Sequence, residues 1–149
     1  MNTSWSVTFS FIQLAMPVPP YILIVDDEEQ IAALLAEVVT DAGYRVRVVF
    51  NGASALVAVR ERTPALILLD NMMPGLTGLE VVRALRAQGF DRLPIIMMSA
   101  ALSASALLRA GATDFLPKPF FLDDLLNCIE HYVDDASLSP ARSTHAKTL

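Results

Sequence analysis

Three aspartates, a serine and a lysine stand in this sequence where short apolar runs end. Asp26 and Asp27 follow the run YILIV, Asp70 follows ALILL, Ser99 follows IIMM, and Lys118 sits between two prolines just after TDFL. Each has an ordinary reading taken alone. Asp26-Asp27-Glu28-Glu29 opens a helical pattern, where carboxylates cap free N–H groups and suit the helix dipole. Asp70, ahead of Asn71 and the Pro74-Gly75 pair, could start a turn. Ser99 could cap a helix, and lysines are mostly exposed. These readings give no reason for all five to share one kind of position. The chain also has nine arginines against two lysines. A lysine held between prolines in an arginine-using sequence points to a need for a compact ammonium rather than a broad guanidinium fork.

The chemistry such a set can perform is phosphoryl transfer. Asp26, Asp27 and Asp70 in one cleft cannot all stay ionised without a counter-ion. Oxygen-only ligands suit Mg2+. A carboxylate beside Mg2+ can attack a phosphoryl group, while the metal and an ammonium neutralise the transferring oxygens. A hydroxyl at the next strand end can donate to the new phosphate. Glu28 and Glu29 are read as helix-start charges only.

For these residues to meet, the apolar runs must be strands with one end in common. The periodicity supplies that arrangement. Tyr21–Val25, Arg45–Phe50, Ala65–Leu69, Ile95–Met98 and Thr113–Leu116 read as strands, with Arg45 and Arg47 marking an edge. Helical patterns lie between them: Ile31, Leu34, Leu35, Val38 and Val39; then Ala53–Arg62; then Leu79, Val82 and Leu85; then about Ser103–Ala110; and last Leu122, Leu125, Leu126, Ile129 and Val133. Gly43 and Gly111 close two of these helices. Five βα units of this spacing predict an α/β fold, a doubly wound parallel sheet with helices on both faces. Sites in such folds lie at the carboxyl ends of the strands.

Composition bounds the rest. A chain of 149 residues with 54% hydrophobic content can bury one sizeable core. Net charge is −5 and no basic cluster occurs, so a direct nucleic-acid contact is not expected. Cys128 is the only cysteine, which leaves no internal disulfide and no Cys/His metal set, and fits a reducing cytoplasm. The first 25 residues carry no charged side chain, but prolines at 17, 19 and 20 and scattered polar residues break any membrane span or signal segment. Residues 1–20 are expected to be a disordered or extended N-terminal extension, with Met16 an alternative natural start. Residues 21–133 are expected to be the folded domain and 134–149 a polar disordered tail.

With the stretches ILIVDDEE, LILLDNMMPGLTG, IIMMSA and AGATDFLPKPF in view, the chain closely resembles the receiver domain of two-component response regulators, over about Tyr21 to Val133. The resemblance implies a flavodoxin-like sheet of strand order 2-1-3-4-5. It implies that Asp70 accepts a phosphoryl group from a histidine kinase, a histidine phosphotransfer protein or a small phosphodonor. Asp27 and Asp70 would ligate Mg2+ directly, Asp26 through water, and Met72 through its backbone carbonyl. Lys118 would pair with the phosphate, Ser99 would move toward it, and Phe115 would swing inward as the switch. The implied output is signalling in the cytoplasm through helix 4, strand 5 and helix 5, to a partner protein or a second copy, and not enzymatic turnover.

Three departures from the family pattern carry expectations of their own. Ser99 and Lys118 are 19 positions apart, about one helical turn short, so helix 4 or its preceding loop is expected to be reduced. Phe121 stands where relatives often place a capping Asp, Ser or Asn, and it cannot accept an N–H bond. Phe121 should therefore be exposed, and with Ala101, Leu102, Ala104 and Ala106 it would form an apolar interface. Met72 and Ala101, two residues after Asp70 and Ser99, cannot position a water, which predicts slow self-dephosphorylation.

Three alternatives differ in class. A docking-only receiver would have no use for the retained Asp26, Asp27, Asp70, Ser99 and Lys118. A phosphohydrolase of the haloacid dehalogenase type would carry an acid/base Asp at the position of Met72. A Rossmann-type nucleotide site would need a Gly-rich loop after the first strand, and none is present. The last 16 residues are too few and too polar for an output domain of their own.

Overall fold

The apolar runs pair in parallel into one five-stranded sheet, in a computed structural model that describes residues 19–133. The strands are β1 (Ile22–Val25), β2 (Val46–Val49), β3 (Leu66–Asp70), β4 (Ile95–Ser99) and β5 (Asp114–Pro117), in the order β2-β1-β3-β4-β5. The helices between and after them are α1 (Glu29–Asp41), α2 (Gly52–Glu61), α3 (Gly78–Ala87), α4 (Ala104–Arg109) and α5 (Leu122–Tyr132). The doubly wound expectation and the strand order both hold. The expectations for residues 1–18 and 134–149 lie outside the described residues. No helix among the described residues is long and apolar enough to cross a membrane.

Strands β1, β3 and β4 are buried along their whole length, as continuous apolar runs covered on both faces must be. Alternate residues feed two apolar layers. Leu23, Val25, Ile67, Leu69, Ile95 and Met97 pack with α2, α3 and Leu107 of α4. Ile22, Ile24, Leu66, Leu68, Ile96 and Met98 pack with Leu35 and Val39 of α1 and with Leu125 and Ile129 of α5. Each such side chain contributes about 1.5–3 kcal/mol by leaving water. Strand β2 is only half-buried and is an edge, as Arg45 and Arg47 suggested.

Two local readings are refined. The buried stripe of α1 is Ala32, Leu35 and Val39, while Leu34, expected to face the core, is 51% exposed. Periodicity allowed either phase, and the small Ala32 is the residue that faces the sheet. Helix α4 is indeed short, six residues against ten in each of α2 and α3. Its start is capped by Ser103, whose hydroxyl accepts from Ala106 N–H. Arg86 on α3 braces the region beside it. Its guanidinium donates to the carbonyls of Phe90, Leu93 and Gly111 and to the Thr113 hydroxyl.

Candidate functional site

The parallel register brings the acidic residues together. Val25 of β1 stands beside Leu69 of β3, so Asp26 and Asp70 leave the sheet side by side. One carboxylate oxygen from each of Asp26, Asp27 and Asp70 lies within 4.8 Å of the others. Asp26 and Asp70 are buried, and Asp27 is half-buried. Asp26 Oδ1 accepts from the Glu28 backbone N–H at 3.0 Å. Its Oδ2 is buried with no hydrogen-bond partner. Burial raises the Asp26 carboxyl above its ordinary range. The Glu28 N–H and the Lys118 ammonium oppose this, and the neighbouring Asp70 and Asp27 charges add to it.

Lys118 reaches this cluster from the end of β5. Its backbone N–H donates to the Ser99 carbonyl at 2.9 Å, which extends the β4–β5 pairing. Its ammonium lies 2.9 Å from Asp70 Oδ1 and 3.9 Å from Asp26 Oδ2. Among the described residues, one ammonium thus meets two carboxylates of a cluster of three. The donors are all oxygens, and a buried carboxylate oxygen is left without a partner, so the set fits a hard divalent cation such as Mg2+.

Ser99 is buried at the end of β4, and its hydroxyl accepts from the N–H groups of Ala101 and Leu102, both at 3.2 Å. Here it serves its own loop. Phe115 is half-buried against the apolar layer that holds Leu107. Met72 is 64% exposed. It is the centre of a three-residue turn closed by Met73 N–H donating to the Asn71 carbonyl at 3.1 Å. Phe121 precedes α5 with no side-chain capping bond and is 80% exposed. Leu108 and Leu122 are also exposed, whereas Leu102 packs on the core.

Asn71 is the residue that sequence reasoning passed over. It is buried, and its side-chain oxygen accepts from Leu79 N–H at 3.2 Å. Gly78 then brings α3 against the end of β3: a Cβ there would stand 2.6 Å from the Asp70 carbonyl. The available signal was a second polar residue directly after Asp70, where only a turn was read.

Known proteins match this arrangement. The family described as "Response regulator receiver domain" matches residues 22–130. The response regulator MprA of Mycobacterium sp. (strain KMS) is 44% identical over 111 residues, which is 72% of this chain and 48% of that protein. MprA of Mycobacterium leprae is 43% identical over 136 residues, covering 86% of this chain and 59% of that protein. The chain thus spans about half the length of the curated relatives it matches. Among solved structures, the receiver domain of NtrX from Brucella abortus aligns with a TM-score of 0.69 at 37% identity, over 74% of this chain and 96% of that one. The chemotaxis protein CheY4 of Vibrio cholerae aligns with a TM-score of 0.71 at 31% identity, over 78% of this chain and all of that one. With sheet order, acidic cluster and family match in agreement, the chain belongs to the response regulator receiver domain family.

Proposed function

We propose that this protein is a phosphorylation switch whose acceptor is Asp70. The observation that carries the reading is the buried Asp70 carboxylate, bonded to Lys118 and gathered with Asp26 and Asp27. The donor is a histidine kinase, a histidine phosphotransfer protein or a small phosphodonor. The Asp70 oxygen attacks phosphorus, the donor bond to phosphorus breaks, and an acyl phosphate forms. Asp26, Asp27, Asp70 and the Met72 carbonyl would hold Mg2+. When bound, that ion neutralises charge on the transferring phosphoryl oxygens. Lys118, already 2.9 Å from Asp70, would follow the charge onto the phosphate.

Ser99 and Phe115 would carry the change outward. The Ser99 hydroxyl accepts from the Ala101 and Leu102 N–H groups and keeps its own proton to donate, so its movement toward the phosphate would pull on both of those bonds. That loosens the loop into the short α4. Phosphorylation then biases an existing equilibrium of the α4–β5–α5 face. That face is read by a partner protein or a second copy in the cytoplasm. The receiver unit is taken as 21–133, without direct nucleic-acid contact and without turnover of an external substrate.

The test is intact mass after incubation with acetyl phosphate, with and without Mg2+, for the native chain and Asp70→Asn. A Mg2+-dependent gain of one phosphoryl group, absent in the variant, is expected. Its decay should be slow, because Met72 and Ala101 offer no acid, base or polar group. No gain under any condition, including with a cognate kinase, would leave the docking-only reading.

A further inference from the structure

A helix leaves its first four backbone N–H groups without intrahelical partners. In α3 all four are accounted for. Thr77 N–H donates to Glu80 Oε2, and Glu80 N–H donates to the Thr77 hydroxyl, a capping box closed within the helix itself. The other two come from Asn71. Gly78 N–H donates to the Asn71 carbonyl at 3.1 Å, and Leu79 N–H to its side-chain oxygen at 3.2 Å. Asn71 N–H in turn donates to the Met98 carbonyl of β4. One buried residue therefore ties the start of α3 to the end of the sheet, and Met72 sits inside the loop so closed.

The side chain has a narrow task. A leucine at 71 would satisfy burial and keep every backbone bond. What it would lose is the acceptor for Leu79. We infer that Asn71 is a positioning residue of the metal site: its amide oxygen clamps α3 to the phosphoacceptor strand and so holds the Met72 carbonyl in the direction a cation needs. The inference rests on the functional reading above, since it takes Met72 as a ligand. Without the clamp, cation binding must order the loop as well as fill the site, and affinity falls by that ordering entropy.

The experiment is calorimetric titration of Mg2+ into the full chain, native, Asn71→Leu and Asn71→Asp. Melting without Mg2+ and amide exchange at Leu79 are recorded alongside. Losing a supporting hydrogen bond of this kind weakens metal affinity about tenfold or more. That loss is expected in Asn71→Leu, with faster exchange at Leu79. Asn71→Asp keeps the acceptor and should bind at least as tightly as the native chain. Asn71→Ala, which introduces no clash, replaces the leucine variant if that one does not fold. A leucine or alanine variant that melts earlier but binds Mg2+ like the native chain makes Asn71 merely structural and overturns the inference. An aspartate variant as weak as the leucine one overturns it too. A native chain that takes up no Mg2+ overturns the functional reading and the inference together, whereas the former outcomes leave that reading standing.

Discussion

Asp26 carries the highest cost of the three carboxylates. Its Oδ2 is buried without a hydrogen bond, and the nearest cation, 3.9 Å away, is bound more closely by Asp70 at 2.9 Å. A buried charge in this state opposes folding unless a cation joins it. Asp26→Asn should therefore raise stability in the absence of divalent ions by about 1 kcal/mol, about 4 °C in melting temperature. Mg2+ should then raise the melting temperature of the native chain by mass action and leave the variant nearly unmoved. A variant that melts below the native chain without Mg2+ would refute the argument. The charged residues of the site were legible in sequence because each closes an apolar run, a local fact. Asn71 was not, because its acceptor role depends on a backbone N–H eight residues on, brought back by the loop. The hydroxyl direction of Ser99 was equally out of reach, since a hydroxyl serves its own loop or a phosphate from the same place.

Among the elements, strands were easier to read than helix faces. Continuous apolar runs admit one reading, burial on both sides. A mixed run such as Ile31–Val39 admits neighbouring phases, and packing on the sheet selected Ala32 over Leu34. Two side chains join elements in ways no periodicity reports. Arg86 satisfies three backbone carbonyls at the edges of α3, β4 and β5. Arg86→Met should cost about 2–3 kcal/mol in urea unfolding, because those carbonyls lose their donors; a loss near zero would mean that water replaces the guanidinium. At the β5–α5 seam, Asp114 Oδ2 accepts from the Tyr132 hydroxyl at 2.7 Å and lies 3.8 Å from the Cys128 sulfur. Burial, and then the Asp114 charge, push the Cys128 thiol up to about 11 from an ordinary value of 9.0. The hydrogen bond to Asp114 first, and then burial, push Tyr132 up to about 12 from 10.0. Both groups are neutral acids favoured by the fold. The unfolded chain releases these protons first, so their contribution is complete below about pH 9 and is lost as pH rises toward 12. Thermal melts from pH 8 upward should show that fall. Asp114→Asn should flatten it; an unchanged slope would show that Asp114 does not set it.

At the scale of the whole molecule, the acidic cluster stands at the strand ends, while α4 and the start of α5 carry exposed apolar residues on the elements that the proposed function takes as the outgoing surface. The ion-pair end is built from polar groups at the strand ends. The α4–β5–α5 side presents Leu108, Phe121 and Leu122, with Phe121 80% exposed. A solvent-facing phenylalanine at a helix start gives up a capping bond, and an exposed ring of this size marks a candidate contact surface. The short α4 carries a single charged residue, Arg109 in its last turn, and so offers little to repel a second apolar surface. Closed two-fold pairing would bury the ring twice, each burial contributing about 1.5–3 kcal/mol. Phe121→Asp should then weaken self-association about a hundredfold or more, since two rings are removed and two like charges are brought together. Light scattering of the phosphorylated chain across a concentration series would read the change. If the native protein dimerises and the variant dimerises equally well, Phe121 lies outside the interface. If the phosphorylated native chain stays monomeric at every concentration, the ring is left for a different partner, and the proposal of a second copy fails.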